Sequence, residues 1–141
     1  MSQIKIPAAF IRGGTSKALV FHSKDLPLDR SQRDQIFLET MGSPDPYGRQ
    51  LNGMGGGLSS LSKVCIVGPS SHPDADVDYT KAQIQLREAR VDYTTNCGNM
   101  SSAIGPFAVD EGLVRVAKDG RFLVRIFNTN TKKIIHLSCL K

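Results

Sequence analysis

"TTNCGNMSSAIGPF", residues 94–107, sets one thiol between two asparagines and ahead of a run of small residues. The hydrophobic period changes across it. Residues 77–94 (VDYTKAQIQLREARVDYT) alternate as one long strand or a hairpin does, with Val77, Tyr79, Ile84, Leu86 and Val91 as candidate core positions. Beyond the thiol, Met100, Ala103, Ile104, Phe107 and Ala108 recur at helical spacing. A strand therefore hands over to a helix here. Pro106 argues for a break or kink in that helix, because proline lacks the N–H that the turn needs, unless it lies early enough in the helix to be tolerated. Gly105 and the alanines keep the helix thin enough to pass close to strands on several sides.

Upstream, residues 4–11 and 18–23 read as strands flanking a tight "RGGTSK" turn whose paired glycines can supply positive φ. Residues 28–42 read as a helix, with Pro27 and Asp29 at its start and Gly42 to close it. The Gly-rich stretch 42–62 has no apolar period and reads as a long loop. Residues 63–68 form a strand, and residues 113–130 a hairpin around Asp119–Gly120. Residues 132–140 are a last strand whose partner is expected beyond the end of the chain. The sum is an α+β fold of about seven strands around one buried helix, with no internal repeat.

At 141 residues the chain has the length of one domain. Its 40% apolar and 22% charged content is that of a globular protein. No run approaches eighteen apolar residues, and the N-terminus lacks a secretory pattern, so a cytoplasmic location with no membrane partner is expected. Cys65, Cys97 and Cys139 are widely spaced, as are His22, His72 and His136, which predicts neither a disulfide framework nor a metal site. The net charge of +5 is dispersed, Lys132–Lys133 is the only adjacent basic pair, and tryptophan is absent. Nucleic acid is therefore not an expected partner; the mild positivity fits a small anionic ligand at least as well, and equally fits nothing in particular.

A helix N-terminus carries unsatisfied N–H groups and partial positive charge. It lowers the pKa of a thiol placed there and receives carboxylate or phosphate. Asn96, Gly98 and Asn99 suit such a mouth: the glycine lets a ligand reach the backbone, and the amides can cap or donate. The competing reading of Cys97 is a buried cysteine beside an ordinary turn.

"NCGN" followed by a small-residue helix resembles the first cysteine motif of the diaminopimelate-epimerase-like superfamily. Residues 10–21 (FIRGGTSKALVF), 41–64 (MGSPDPYGRQLNGMGGGLSSLSKV) and 96–114 (NCGNMSSAIGPFAVDEGLV) resemble signature blocks of the PrpF-type 2-methylaconitate cis-trans isomerase family. Residues 126–136 (IFNTNTKKIIH) are similar to a fourth. The resemblance implies a mixed, barrel-like sheet wrapped around a central helix. It also implies isomerisation of a small unsaturated tricarboxylate by proton transfer at carbon, with neither metal nor organic cofactor.

The positions matching the family's acid/base pair are Lys63 and Cys97. Substrate binding is implied for Arg12, Thr15, Ser16, Asn52, Gly98, Asn99 and Met100. Plain alternatives stand beside each: Lys63 as a solvated strand-end lysine, Arg12 as a surface cation, the 42–62 loop as a tether. Ala18 stands where the family usually has glycine. Members have two related domains with the site between them, and this chain matches the N-terminal one. The missing wall is expected from a C-terminal domain or a second copy across an exposed cleft face.

Two rival readings follow. "GMGGGLSS" resembles the phosphate loop of GHMP-type kinases, but a strand-like stretch follows where that loop requires a helix. A non-catalytic remnant, or an accessory partner of a methylcitrate dehydratase, is the alternative to an enzyme.

Overall fold

The computed structural model describes residues 3–95 and 98–140. Along the chain run β1 (Ala9–Gly13), β2 (Ser16–His22), α1 (Arg30–Met41), β3 (Lys63–Pro69), β4 (Val77–Ile84), β5 (Val91–Asp92), α2 (Gly98–Asp110), β6 (Arg121–Asn128) and β7 (Lys133–Leu140). The strands form one mixed sheet in the order β1-β2-β3-β4-β6-β7, with β5 paired to β4. β2–β3 and β4–β6 are parallel pairs, and the crossovers between them carry α1 and α2.

Both faces of the sheet are covered. Lys63 to Gly68 of β3 are buried without alternation, the pattern of a strand sandwiched between layers. Ala18, Val20, Cys65, Val67, Val77 and Tyr79 face α2, where they meet Met100, Ala103, Ile104 and Phe107. Leu19, Phe21, Val64, Ile66, Ala82 and Ile84 face Phe37 and Met41 of α1. Helix α2 touches β1, β2 and β3 on one side and β6 and β7 on the other. The sheet is therefore curled around it, the expected α+β arrangement of strands about a central helix. Gly105 is where the wrapping is tightest, since a Cβ there would lie 2.3 Å from Leu137 Cδ2.

Local chemistry sets the boundaries. Asp29 caps α1 by accepting from the Gln32 N–H, and Gly42 closes it at φ 82° while the Ser43 N–H reaches back to the Leu38 carbonyl. Arg125 clamps β6 to the entry of β4 with two side-chain hydrogen bonds to Asp76, at 2.9 and 3.3 Å.

Four expectations are corrected. Helix α2 runs through Pro106 to Asp110 without a break; Pro106 lies on its exposed side, and the packing of Met100, Ala103, Ile104, Phe107 and Ala108 on the other side outweighs one missing backbone bond. The first strand starts at Ala9 rather than at residue 4. Residues 113–118 form no strand; Leu113, Val114 and Val116 pack instead against the α2 cluster. The hairpin is β6–β7, so the last strand has its partner inside the chain, with Arg121 opposite Leu140 and Asn128 opposite Lys133.

Residues 77–94 resolve into β4 and the short β5, with Val77, Tyr79 and Ile84 fully buried and Leu86 and Val91 partly so. The Gly-rich loop runs into a 3-10 turn (Ser59–Leu61) and then β3. The helix that a kinase phosphate loop needs is not there. None of the described helices is long and apolar enough to cross a membrane.

Removing side-chain volume at the wrapped helix should be costly. Ile104→Ala should destabilise the chain by about 2–5 kcal/mol, whereas Leu140→Ala, at a residue 72% exposed, should stay within about 0.5 kcal/mol. Urea unfolding of the two variants checks the contrast.

Candidate active site

The turn between β1 and β2 is Gly14–Thr15, with Gly13 opposite Ser16. Gly14 has φ 57°, which glycine adopts without steric cost. A Cβ on Gly13 would lie 2.4 Å from the Asn99 carbonyl oxygen, and one on Gly14 would lie 2.7 Å from Asn99 Oδ1. The two glycines thus let the hairpin tip touch the first turn of α2. Asn99 Nδ2 then donates to Thr15 Oγ1 at 2.9 Å.

Two strand starts meet beside this contact. Lys63 Nζ donates to Ser16 Oγ at 3.2 Å, and both residues are buried, at 9% and 1% exposure. Side chains alternate along a strand, so Ser16 shares a face with Ala18 and Val20, and Lys63 with Cys65 and Val67. That face is the one covered by α2. Lys63 is therefore not the solvated strand-end lysine of the competing reading.

The first turn of α2 offers backbone N–H groups with no helical acceptor. Gly98 begins it, is exposed, and has nothing within 4 Å of where a Cβ would be. Asn96 and Cys97 lie outside the described residues. Met100 is fully buried in the α2 cluster, so its side chain serves the core and only its backbone faces the turn.

Ser16, Lys63, Thr15, Asn99 and Gly98 are thus brought together around the start of α2. Arg12 is not. It is exposed, and its neighbour Ile11 packs toward the α2 cluster, which directs Arg12 to the opposite face of β1. Asn52 is exposed on the Gly-rich loop, next to Gly53, which abuts Gly42 at the end of α1. No described contact joins Asn52 to Lys63 or Asn99.

That loop is ordered by its own polar groups. Asp45 accepts from the N–H groups of Tyr47, Arg49 and Gln50 at 2.9, 3.0 and 2.8 Å. These donors, Tyr47 first, hold its carboxyl below the usual 3.8. Gln50, 1% exposed, donates to Ser43 and Ser62 and accepts from the Gly57 N–H. The loop is not a tether.

Sequence reasoning passed over Gln50, Ser62 and Lys81. Lys81 is 2% exposed on the α2 face, and its Nζ donates to Thr95 Oγ1. Its signal was available, since it continues the inward series Val77, Tyr79. Asn130, in the fourth signature block, bonds the Lys81 backbone through both side-chain atoms and reaches the Tyr93 carbonyl. An open hollow of about 460 Å³ borders this segment, lined by Ser59, Gln83, Asp92 and Thr95 among others. Among the described residues no group of three His, Cys, Asp or Glu is placed to hold a metal ion.

A family model described as "PrpF protein" matches residues 3–139. The chain belongs to the PrpF family. It is 48% identical over 134 residues to a 3-methylitaconate isomerase of Eubacterium barkeri, covering 95% of this chain and 34% of that protein. It is 47% identical over 140 residues to a 2-methyl-aconitate isomerase of Cupriavidus necator (94% and 35%). It is 49% identical over 134 residues to a 4-oxalomesaconate tautomerase of Pseudomonas putida (95% and 36%). A crystal structure of methylitaconate-delta-isomerase superposes with a TM-score of 0.91 at 46% identity, over 96% of this chain and 34% of that one. The chain spans about a third of the length of these PrpF relatives.

Two outcomes test the geometry. Gly13→Ala should destabilise by about 1–3 kcal/mol, since the added methyl meets helix backbone, while Gly98→Ala should stay within about 0.5 kcal/mol; urea midpoints decide. The second concerns Asp45. A carboxyl with a depressed folded pKa stabilises above its unfolded value and loses that contribution as pH falls through the folded value. Asp45→Ala should therefore melt below the parent at neutral pH. The gap should close only as pH drops below 3.8, as thermal melts in acid will read.

Proposed function

We propose that this chain carries the proton-transfer side of a cofactor-independent isomerase of small unsaturated polycarboxylates. The observation that carries the reading is the buried Lys63–Ser16 pair beside the Thr15–Asn99 contact at the start of α2. A hydrogen on carbon next to an unsaturated carboxylate is weakly acidic, so the base must be placed and the resulting anion stabilised where it forms. Lys63 and Cys97 are the pair that exchanges protons with carbon. One removes a proton, the electron pair spreads through the double bond onto carboxylate oxygen, and the other returns a proton. The atoms balance without a redox partner.

The N–H groups of the first turn of α2, with the Thr15 and Ser16 hydroxyls and the Asn99 amide, form the carboxylate seat. Arg12, Asn52 and the Met100 side chain are left out of it on the geometry given above. The chain is the N-terminal part of a cleft whose other wall is supplied by a second domain or a second copy. Three relatives named for different unsaturated acids are nearly equally identical to it, at 47, 48 and 49%. This supports a portion that holds the shared proton chemistry rather than the choice among methylaconitate, methylitaconate and oxalomesaconate.

Purified protein should change the near-ultraviolet absorbance of 2-methylaconitate isomers. Lys63→Ala and Cys97→Ala should each lower turnover by about 10²–10⁴-fold while leaving circular dichroism unchanged. Near-parental turnover in either variant would remove that residue from the mechanism. Retained ligand binding with no turnover in the parent would favour the accessory or remnant role.

A further inference from the structure

Gln50 is the most connected buried polar side chain of the Gly-rich loop, and nothing in the proposed chemistry uses it. It is 1% exposed, and its backbone sits at φ 55°, an uncommon region for a residue other than glycine. Its backbone N–H is held by Asp45, and its carbonyl accepts from the Gly53 N–H at 3.2 Å. The side-chain amide donates to Ser43 Oγ at 3.0 Å and to Ser62 Oγ at 2.7 Å, and Oε1 accepts from the Gly57 N–H at 3.0 Å. The loop makes room for this amide: a Cβ on Gly55 would lie 2.1 Å from Oε1.

Ser62, its partner, is fixed from the other side as well. Ser62 Oγ donates to the Ile84 carbonyl at 2.8 Å, and the Ser62 carbonyl accepts from the Ile84 N–H and from Gln83 Nε2. The next residue is Lys63, whose ammonium reaches Ser16. A short covalent and hydrogen-bonded path thus runs from the loop amide through Ser62 to the lysine at the mouth of α2. The ladders with Ala18 of β2 and Gln83 of β4 hold β3 from Lys63 onward, and the Gln50 amide adds a side-chain hold on the residue just before it.

Resting on the reading of Lys63 as a proton carrier, we propose that Gln50 is a positioning residue that sets the Lys63 ammonium by locking Ser62. Gln50 never touches substrate. It fixes the backbone from which Lys63 departs, and misplacement of a reacting group by an ångström can cost about a hundredfold in rate.

The test compares Gln50→Leu and Ser62→Ala with Phe37→Leu, a packing change on the same face outside the network. The first readout is the rate at which Lys63 is acylated by acetic anhydride, measured by mass spectrometry against exposed lysines of the same chain. The second is kcat and KM on 2-methylaconitate. Gln50→Leu and Ser62→Ala should both change Lys63 acylation severalfold and lower kcat by about tenfold or more with little change in KM. Phe37→Leu should lower the melting temperature without either effect.

Unchanged acylation and kcat in a folded Gln50→Leu would overturn the proposal. So would equal effects in Phe37→Leu, which would make the network merely structural. If Gln50→Leu does not fold, Ser62→Ala decides alone. A parent without turnover counts against the proposed function, and acylation of Lys63 still decides the role of Gln50.

Discussion

The structure depends on a contact that only the lack of a side chain permits. Gly13 rests on the Asn99 carbonyl at a distance no Cβ would allow, and this brings the β1–β2 tip onto the start of α2. For the tip to reach it, β1 must bend over the helix while β6 and β7 close from the other edge, the curl seen in the contacts of α2. The same contact sets Thr15 against Asn99 and leaves Ser16 to meet Lys63. The glycine pair is at once a turn, a packing interface and the floor of the proposed site.

Two lysines on the α2 face are nearly sealed from water. Burying a cation is unfavourable unless polar groups replace its hydration. Hydroxyls contribute to this here, Ser16 for Lys63 and Thr95 for Lys81, and the Asp92 carboxylate adds its charge near Lys81. Each hydroxyl belongs to a segment next to the α2 start, so the buried charge and the helix mouth are held by the same residues. Apolar side chains of similar volume would fill those positions at lower cost.

Much of this was legible. The change from alternation to helical spacing across residues 94–107 located α2, and the capping residues Asp29 and Gly42 located α1. Lys63, Ser16, Thr15, Asn99 and Gly98 were named from sequence and lie together. The failures have physical causes. Pro106 was weighed by local propensity, which tertiary packing overrides in a helix whose opposite side is seated on the curled sheet. Residues 113–118 have strand-like composition, but their apolar side chains are spent on the α2 cluster rather than on a ladder. Arg12 was judged by its neighbourhood in sequence, whereas strand alternation sends it to the other face. Gln50 gave no signal because its role lies in contacts with Ser43, Gly57 and Ser62, which periodicity cannot reveal.

Register ties the scaffold to the chemistry. Ser62 and Lys63 are consecutive and point to opposite faces: the serine meets the Gln50 network and Ile84 on the α1 side, the lysine meets Ser16 on the α2 side. A slip of one residue in β3 would exchange every side chain between faces. Lys63 would then enter the Leu19–Phe37–Ile84 cluster, and Val64 and Ile66 would move to positions fitted to Cys65 and Val67. An unpaired ammonium among apolar side chains is far more costly than the loss of one ladder bond. The burial of Lys63 therefore also specifies the register that places it, and the loop amide holds the residue just before it on the opposite face.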